Sequence, residues 1–390
     1  MCVPYSRQGL ALLERVDAGA KKSGKRGMIT CYIGTRAQLI KMAPVVLEIE
    51  RRGMPLTLIM TGQHRETMQQ LMIDFGMATA PVYLYEGREI TGIVQMAGWF
   101  VSCCTRALRF PARFMPHPRG HANVVLVHGD TFSTLLGAVV GRLLGVDVAH
   151  VEAGLRSYHV FHPFPEELTR LIVFRLSRLS FCPGDWAFGN MKGYTTQAVN
   201  TNGNTLRDAL EAMLAFAPRQ DAPFAGDYGI VSIHRFENIF NAAKLREIVA
   251  LIDIAAARFP LAFVLHPATR KKLAEFGLME ILERHPSIKL LPRMGYADFV
   301  QLMRAARFVI TDGGGNQEEL SYLGIPTLLM RKATERKEGL GTTATLCNYD
   351  RPTLEAFLAG LPAMADRKTA GQGAGQSPSA IIVDHLQRYV

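Results

Sequence analysis

Acidic residues recur where short apolar runs stop. VHGDTF puts Asp130 directly after a β-branched run and before a helix-like stretch, VAHVEAG ends in Glu152, and HPFPEELTR sets Glu166 and Glu167 at the opening of another helix. Two of these positions have an ordinary structural use, because Asp is a common N-cap and acids at a helix start are favoured by the macrodipole. A strand interior, however, excludes an acid such as Glu152 unless it reaches a polar crevice. Clustered carboxylates split their proton affinities, so that one group accepts a proton while another donates. Asp130, Glu152 and the Glu166–Glu167 pair therefore read as a converging acid–base set.

The second half of the chain carries complementary groups. In SIHRFEN, His234 and Arg235 close an apolar run, and ITDGGGNQEEL is a glycine-rich turn between a strand-like FVIT and a helix. Gly313, Gly314 and Gly315 let backbone approach a ligand closely, and the next helix offers unsatisfied N–H groups and a positive dipole end to a phosphate. Glu318 or Glu319, one turn later, is placed to accept hydrogen bonds from a ribose. In the first half, IGTRAQLIK repeats the order of strand, Gly turn and helix, with Arg36 at the turn and Lys41 in the helix. A guanidinium fork suits a diphosphate, and plain solvation of a surface arginine is the competing reading.

These groups need a scaffold that gathers strand ends. From Met28, MITCYIG, LTLIMTG, NVVLVHGD, VDVAHVE and LSFCPGD alternate with amphipathic stretches, and after Asn200 the alternation returns in YGIVSIHR, LAFVLHP, IKLLP, RFVITDGGG and IPTLLMR. Such alternation specifies βαβ units and parallel sheets, whose ligands bind outside the carboxyl ends of the strands. The expected architecture is α/β of the GT-B type, with two Rossmann-like, doubly wound domains facing a central cleft. The first would span 1–199, with a C-terminal helix over 376–390 packing back on it, and the second, the nucleotide-binding one, 200–375.

A chain of 390 residues with 48% apolar and 20% charged residues is long enough for two cores and too apolar to be disordered. The net charge of +10 draws on Lys21, Lys22, Lys25 and Arg26 and on Arg106, Arg109, Arg113 and Arg119, with no aromatic stacking motif or zinc-finger spacing beside them. Solvated surface charge is the better reading, and nucleic acid is not an expected partner. Cys2, Cys31, Cys103, Cys104, Cys182 and Cys347 form no CxxC pair, which fits reduced thiols in a cytoplasm. Neither a secretory h-region nor an apolar run of membrane-spanning length is present, so a soluble protein is expected.

The segments GTRAQLIKMAPVV, TGQHRE, VHGDTFSTL, HVEAGLRS, HPFPEELTR, GNTLRDAL, HRFEN, HPATRKKL, TDGGGNQEEL and TERKEG, in that order, resemble the non-hydrolysing UDP-N-acetylglucosamine 2-epimerases from Ile33 to about Ile382. The resemblance implies the GT-B fold, a UDP-sugar substrate (UDP-GlcNAc converted to UDP-ManNAc), no cofactor or metal, and a homodimer. The reaction it implies is an anti elimination of UDP from C1 and C2 to an enzyme-bound 2-acetamidoglucal. UDP then adds back as a proton reaches the opposite face of C2, which calls for acid–base groups on both faces. Carried over motif by motif, Asp130, Glu152, Glu166 and His234 form the implied catalytic set, with the three acids sharing the proton traffic at C2 and His234 neutralising the departing diphosphate. Arg36, Gly314, Gly315 and Glu319 are implied UDP contacts, and Tyr296, in LPRMGYADF, falls near the uracil segment. Gln63 and His64 of TGQH are implied sites for a second, activating UDP-GlcNAc.

The sequence departs from the family pattern in four places: TRPE reads TRAQ, the Ser of DSGG is Gly313, the Asn of PEExNR is Thr169, and TERPE reads TERKE with Lys337. Losing the Ser hydroxyl removes one hydrogen bond to phosphate, worth roughly 0.5 to 3 kcal/mol. Four other readings stay open on sequence alone: a GT-B glycosyltransferase, a hydrolysing 2-epimerase, an epimerase of a UDP-2,3-diacetamido sugar, and a non-catalytic nucleotide-sugar sensor.

Overall fold

The computed structural model describes residues 27–62, 65–87, 92–115, 122–159, 165–216, 223–334, 336–365 and 375–390. Gln63 and His64 lie outside the described residues, as do Cys2, Lys21, Lys22, Lys25, Arg26 and Arg119. The chain divides into two compact units, Met1–Ala209 with Gln376–Val390, and Leu210–Gly375.

The first unit holds a parallel sheet of β1 (Ile29–Ile33), β2 (Leu56–Met60), β3 (Pro81–Tyr83), β4 (Val124–His128), β5 (Asp147–Val151), β6 (Leu179–Cys182) and β7 (Gln197–Asn200), in the order β3-β2-β1-β4-β5-β6-β7. The second holds β8 (Gly229–Ser232), β9 (Leu261–Leu265), β10 (Ile288–Pro292), β11 (Phe308–Thr311), β12 (Thr327–Leu329) and β13 (Ala344–Leu346), in the order β10-β9-β8-β11-β12-β13. Both sheets are doubly wound, with the strand order reversing between β1 and β4 and between β8 and β11. Those reversals are where a crevice opens beyond the carboxyl ends of the strands.

Burial explains why the central strands read so clearly in the sequence. Every residue of β1, β4, β9 and β11 is buried, as parallel strands covered by helices on both faces require. Tyr32, Val125, Val127, Leu136 and Val148 pack in the first core, and Val231, Ile252, Phe263, Phe308 and Leu328 in the second. Strands β3, β7 and β13 are short and lie at sheet edges, where little of the hydrophobic run is needed.

The C-terminal helix Pro378–Tyr389 belongs to the first unit and buries Ile382, Val383 and Leu386. Asp208 fixes its start by accepting from the Ser377 hydroxyl at 2.8 Å and the Ser379 N–H at 2.7 Å, and Arg52 donates to Asp384 at 2.6 Å further along. No described helix is long and apolar enough to cross a membrane.

Candidate active site

In the first unit, His128 pairs with Val151 across β4 and β5, so the residues that follow these strands emerge side by side. Gly129, at φ +71°, turns the chain off β4, its N–H donating to Val151 O at 2.9 Å and its carbonyl meeting His150 Nε2 at 2.7 Å. Asp130 comes next, and it is not the N-cap that its position suggests. Thr131 caps the helix Phe132–Leu143 through a capping box with Thr134, which frees the Asp130 carboxylate to pair with Arg170. The acid is therefore aimed rather than absorbed by secondary structure.

Glu152 leaves β5 in a left-handed conformation, φ +64°, which costs a non-glycine residue about 1–3 kcal/mol. Its Oε2 is held by Lys41, from the helix Arg36–Arg51, and by the Asn204 amide. His128 Nε2 stands 3.7 Å from the same oxygen. Burial pushes His128 and His150 down to about 4, so both rings are neutral near pH 7 and neither neutralises a carboxylate there. Lys41 is the cation that balances Glu152.

The paired acids of the helix Glu166–Leu176 divide their duties. Glu167 is fully buried and takes Arg156 at 2.5 Å, the Ser157 N–H at 3.0 Å and Arg170 at 3.3 Å. Burial alone would raise its carboxyl, but these donors outweigh burial and hold it below the usual carboxylate range. Glu166, by contrast, has a solvent-shielded Oε2 with no hydrogen-bond partner among the described residues. Arg170 links Asp130 to Glu167, so the helix that carries Glu166 is tied to the end of β4.

Arg36 opens its helix at N1, after the Thr35 cap, with no acid in the first turn. A cation at a helix N-terminus is disfavoured unless an anion joins it. Arg36 Nε is buried and without a hydrogen-bond partner among the described residues, as expected of a group awaiting an anionic ligand.

In the second unit, Thr311 pairs with Ser232 across β11 and β8, bringing Asp312 beside His234. Gly313 is the N-cap of the helix Gly314–Tyr322, whose first turn has no capping side chain and no acid. A Cβ on Gly315 would meet nothing within 4 Å, so glycine there answers no packing demand and leaves the helix end bare. Such an end is a ready anion site. Glu318 is consumed by Arg336 at 2.5 Å, whereas Glu319 lies against Tyr296. Burial first, then the charge and hydrogen bond of Glu319, raise the Tyr296 phenol well above its ordinary value. Of the two adjacent glutamates, Glu318 pairs with Arg336 and Glu319 with Tyr296.

In the first unit Asp130 is tied through Arg170 to the helix of Glu166, and Glu152, on the neighbouring strand end, is held by Lys41 and Asn204; in the second, His234 stands over the glycine turn and Glu319 beside Tyr296. Sequence reasoning passed over the groups that hold them. Asn204, Arg170, Asp312, Asn238 and Tyr349 were not singled out, and Lys41 was noted only as part of a helix. Asp312 is fully buried and accepts from the His234 N–H at 3.0 Å, the Arg235 N–H at 3.0 Å and the Asn238 amide at 2.8 Å. The clue was present, since Asp312 and Asn238 sit inside the segments TDGGG and HRFEN. Among the described residues, no group of His, Cys, Asp and Glu is arranged to hold a metal ion.

The sequence pattern of UDP-N-acetylglucosamine 2-epimerase matches residues 47–377, most of the chain. The protein belongs to this family. A UDP-N-acetylglucosamine 2-epimerase of Methanocaldococcus jannaschii is 30% identical over 371 residues, covering 91% of this chain and 97% of the relative. A UDP-2,3-diacetamido-2,3-dideoxy-D-glucuronate 2-epimerase of Pseudomonas aeruginosa is 32% identical over 319 residues, covering 79% and 84%. The crystal structure of UDP-GlcNAc 2-epimerase from Neisseria meningitidis bound to UDP-GlcNAc superposes with a TM-score of 0.76 at 26% identity, covering 93% of this chain and all of that one. The two-domain α/β architecture of the GT-B class is shared with it.

Within the family, two of the four departures have a physical account here. Gln38, in TRAQ, accepts from the Gly34 N–H at 2.9 Å and the Thr35 N–H at 3.2 Å while its amide donates to His128 O at 2.7 Å and Thr134 Oγ1 at 3.0 Å. A carboxylate could not make the last two bonds, so the amide ties the Arg36 turn to the Asp130 turn. Gly313 lies directly under the His234 ring. Nothing in the structure explains Thr169, which is buried, or Lys337.

Proposed function

We propose that the protein inverts C2 of a UDP-linked N-acetylhexosamine, UDP-GlcNAc to UDP-ManNAc, by anti elimination of UDP and readdition to the 2-acetamidoglucal. The observation that carries this reading is the separation of roles among the acids. Asp130 and Glu152 are held by Arg170 and Lys41, while Glu166 keeps an oxygen free of hydrogen bonds among the described residues. Two charge-balanced carboxylates and a third with an open oxygen suit proton removal at one face of a carbon and delivery at the other. Arg36 and the bare end of the Gly314–Tyr322 helix supply positive potential for the diphosphate, with Glu319 for the ribose and Tyr296 beside it. His234 neutralises the leaving group.

A second sugar class is raised by one finding: a relative named for a UDP-2,3-diacetamido glucuronate is 32% identical over 319 residues, against 30% over 371 for one named for UDP-GlcNAc. The test covers both. Each UDP-sugar is incubated with the enzyme in deuterium oxide and the recovered nucleotide sugar is analysed. Deuterium at C2 of both epimers supports the reading, and the sugar with the higher kcat/KM is the substrate. Free N-acetylmannosamine with UDP, or sugar transfer without C2 label, would replace it with a hydrolase or a glycosyltransferase. The assembly proposed is a homodimer in the cytoplasm, checked for its mass by sedimentation. Activation by a second UDP-GlcNAc through Gln63 and His64 belongs to the same proposal, and sigmoidal kinetics lost in Gln63→Ala would support it.

A further inference from the structure

We infer that Asp312 is a positioning residue for His234, and that residue 313 is glycine because the imidazole occupies the space a side chain would take. The inference rests on the proposed role of His234 and specifies how that role is built.

An ideal Cβ on Gly313 would fall 2.9 Å from His234 Cε1 and 3.4 Å from Nε2, closer than a real Cβ sits to a ring carbon. The ring therefore lies on the backbone of the glycine turn, where no residue with a side chain fits unless the imidazole moves. Beneath it, Asp312 Oδ1 is 3.5 Å from His234 Nδ1 while both carboxylate oxygens accept from the His234 N–H, at 3.0 and 3.2 Å. Asp312 cannot swing away. The Arg235 N–H and the Asn238 amide hold its Oδ2, and Asn238 is itself locked because its Oδ1 accepts the Tyr349 hydroxyl at 2.7 Å.

A carboxylate with no solvent exposure, fixed on the Nδ1 side, favours an N–H at Nδ1 and leaves Nε2 as the atom that takes up or releases a proton. Protonated there, the ring presents an N–H and a positive charge to a diphosphate. Among the described residues, His266, with ring centroids 6.1 Å apart, and Asn316, beside the same glycine, also lie near the ring, and neither offers a carboxylate to compete for Nδ1.

The test is long-range proton–nitrogen NMR of the full chain with ¹⁵N-labelled histidine, the His234 signal being assigned by its loss in His234→Gln, together with kcat and KM. The neutral His234 ring is expected as the Nδ1–H form in the native protein. Asp312→Asn should shift it toward Nε2–H and lower kcat ~10²-fold with KM nearly unchanged. Gly313→Ser, which restores the hydroxyl of the family pattern, should lower kcat rather than raise it, and Gly313→Ala should displace the His234 signals. An Nε2–H ring in the native protein, or the same tautomer in Asp312→Asn, would overturn the inference. Should Asp312→Asn fail to fold, His234 signals unmoved in Gly313→Ala would overturn it as well. The NMR arm needs no substrate, so a tautomer shift with unchanged kcat would support Asp312's hold on the ring and remove His234 from the proposed chemistry instead.

Discussion

Beyond β4 and β5 of the first sheet, Asp130 and Glu152 have their charges balanced within their own unit, by Arg170 and Lys41, whereas beyond β11 of the second sheet the helix end has no capping side chain. The same βαβ geometry is used for opposite electrostatic ends. In the first unit, the two carboxylates are held in place by cations of the same unit. In the second, the helix dipole has neither a capping side chain nor an acid in its first turn, the arrangement that suits the proposed diphosphate. The acids have partners within their own unit, and the proposed diphosphate site has an uncapped helix start.

The steepest test of this contrast is Glu166→Gln. If the open carboxylate moves a proton, kcat falls by roughly 10²- to 10⁴-fold while UDP affinity measured by calorimetry is kept. A similar kcat would assign the chemistry to the paired acids alone. Lys41→Met tests the other side, since it strands the buried Glu152 charge. Urea unfolding should show a loss of about 3–5 kcal/mol, and adding Glu152→Gln should restore much of it. An unchanged midpoint in Lys41→Met would mean the pair is not needed to keep Glu152 in place.

The pH dependence of folding sharpens the comparison further. His128 and His150 titrate near 4 in the folded protein because they are buried, against about 6.5 when unfolded. Between these values the unfolded chain binds more protons, so stability falls as pH drops from about 6.5 toward 4, by on the order of 3 kcal/mol per ring. Above 6.5 these rings contribute no slope. Urea midpoints across this window should fall, and less steeply in His150→Asn; parallel slopes would contradict the burial argument. Smallest of all should be Arg36→Ala, with UDP binding weakened ~10-fold, the loss of one charge-assisted contact, and unfolding unchanged.

The sequence made the ends of the sheets legible and hid their supports. Asp130, Glu152, Glu166, His234 and Arg36 stand where an apolar run meets a turn, a place visible in one dimension. Their partners come from far away, with Lys41 and Glu152 separated by 111 residues and Tyr349 and Asn238 by 111 as well. No local pattern records such pairings. Neighbouring acids were also beyond reach, because helix phase decides that Glu167 turns inward to Arg156 while Glu166 keeps an oxygen without a hydrogen bond among the described residues, and that Glu318 meets Arg336 while Glu319 meets Tyr296. The central strands were readable for the converse reason, since burial on both faces leaves continuous apolar runs, and the short edges β3, β7 and β13 have no such requirement.

Asp130→Asn tests the central claim most directly, because it removes a charge from the first unit and nothing from the second. Exchange of the C2 proton in deuterium oxide should vanish in this variant while UDP binds as in the native protein. Near-native C2 labelling in Asp130→Asn, or UDP binding lost together with labelling, would contradict the division of labour between the two units.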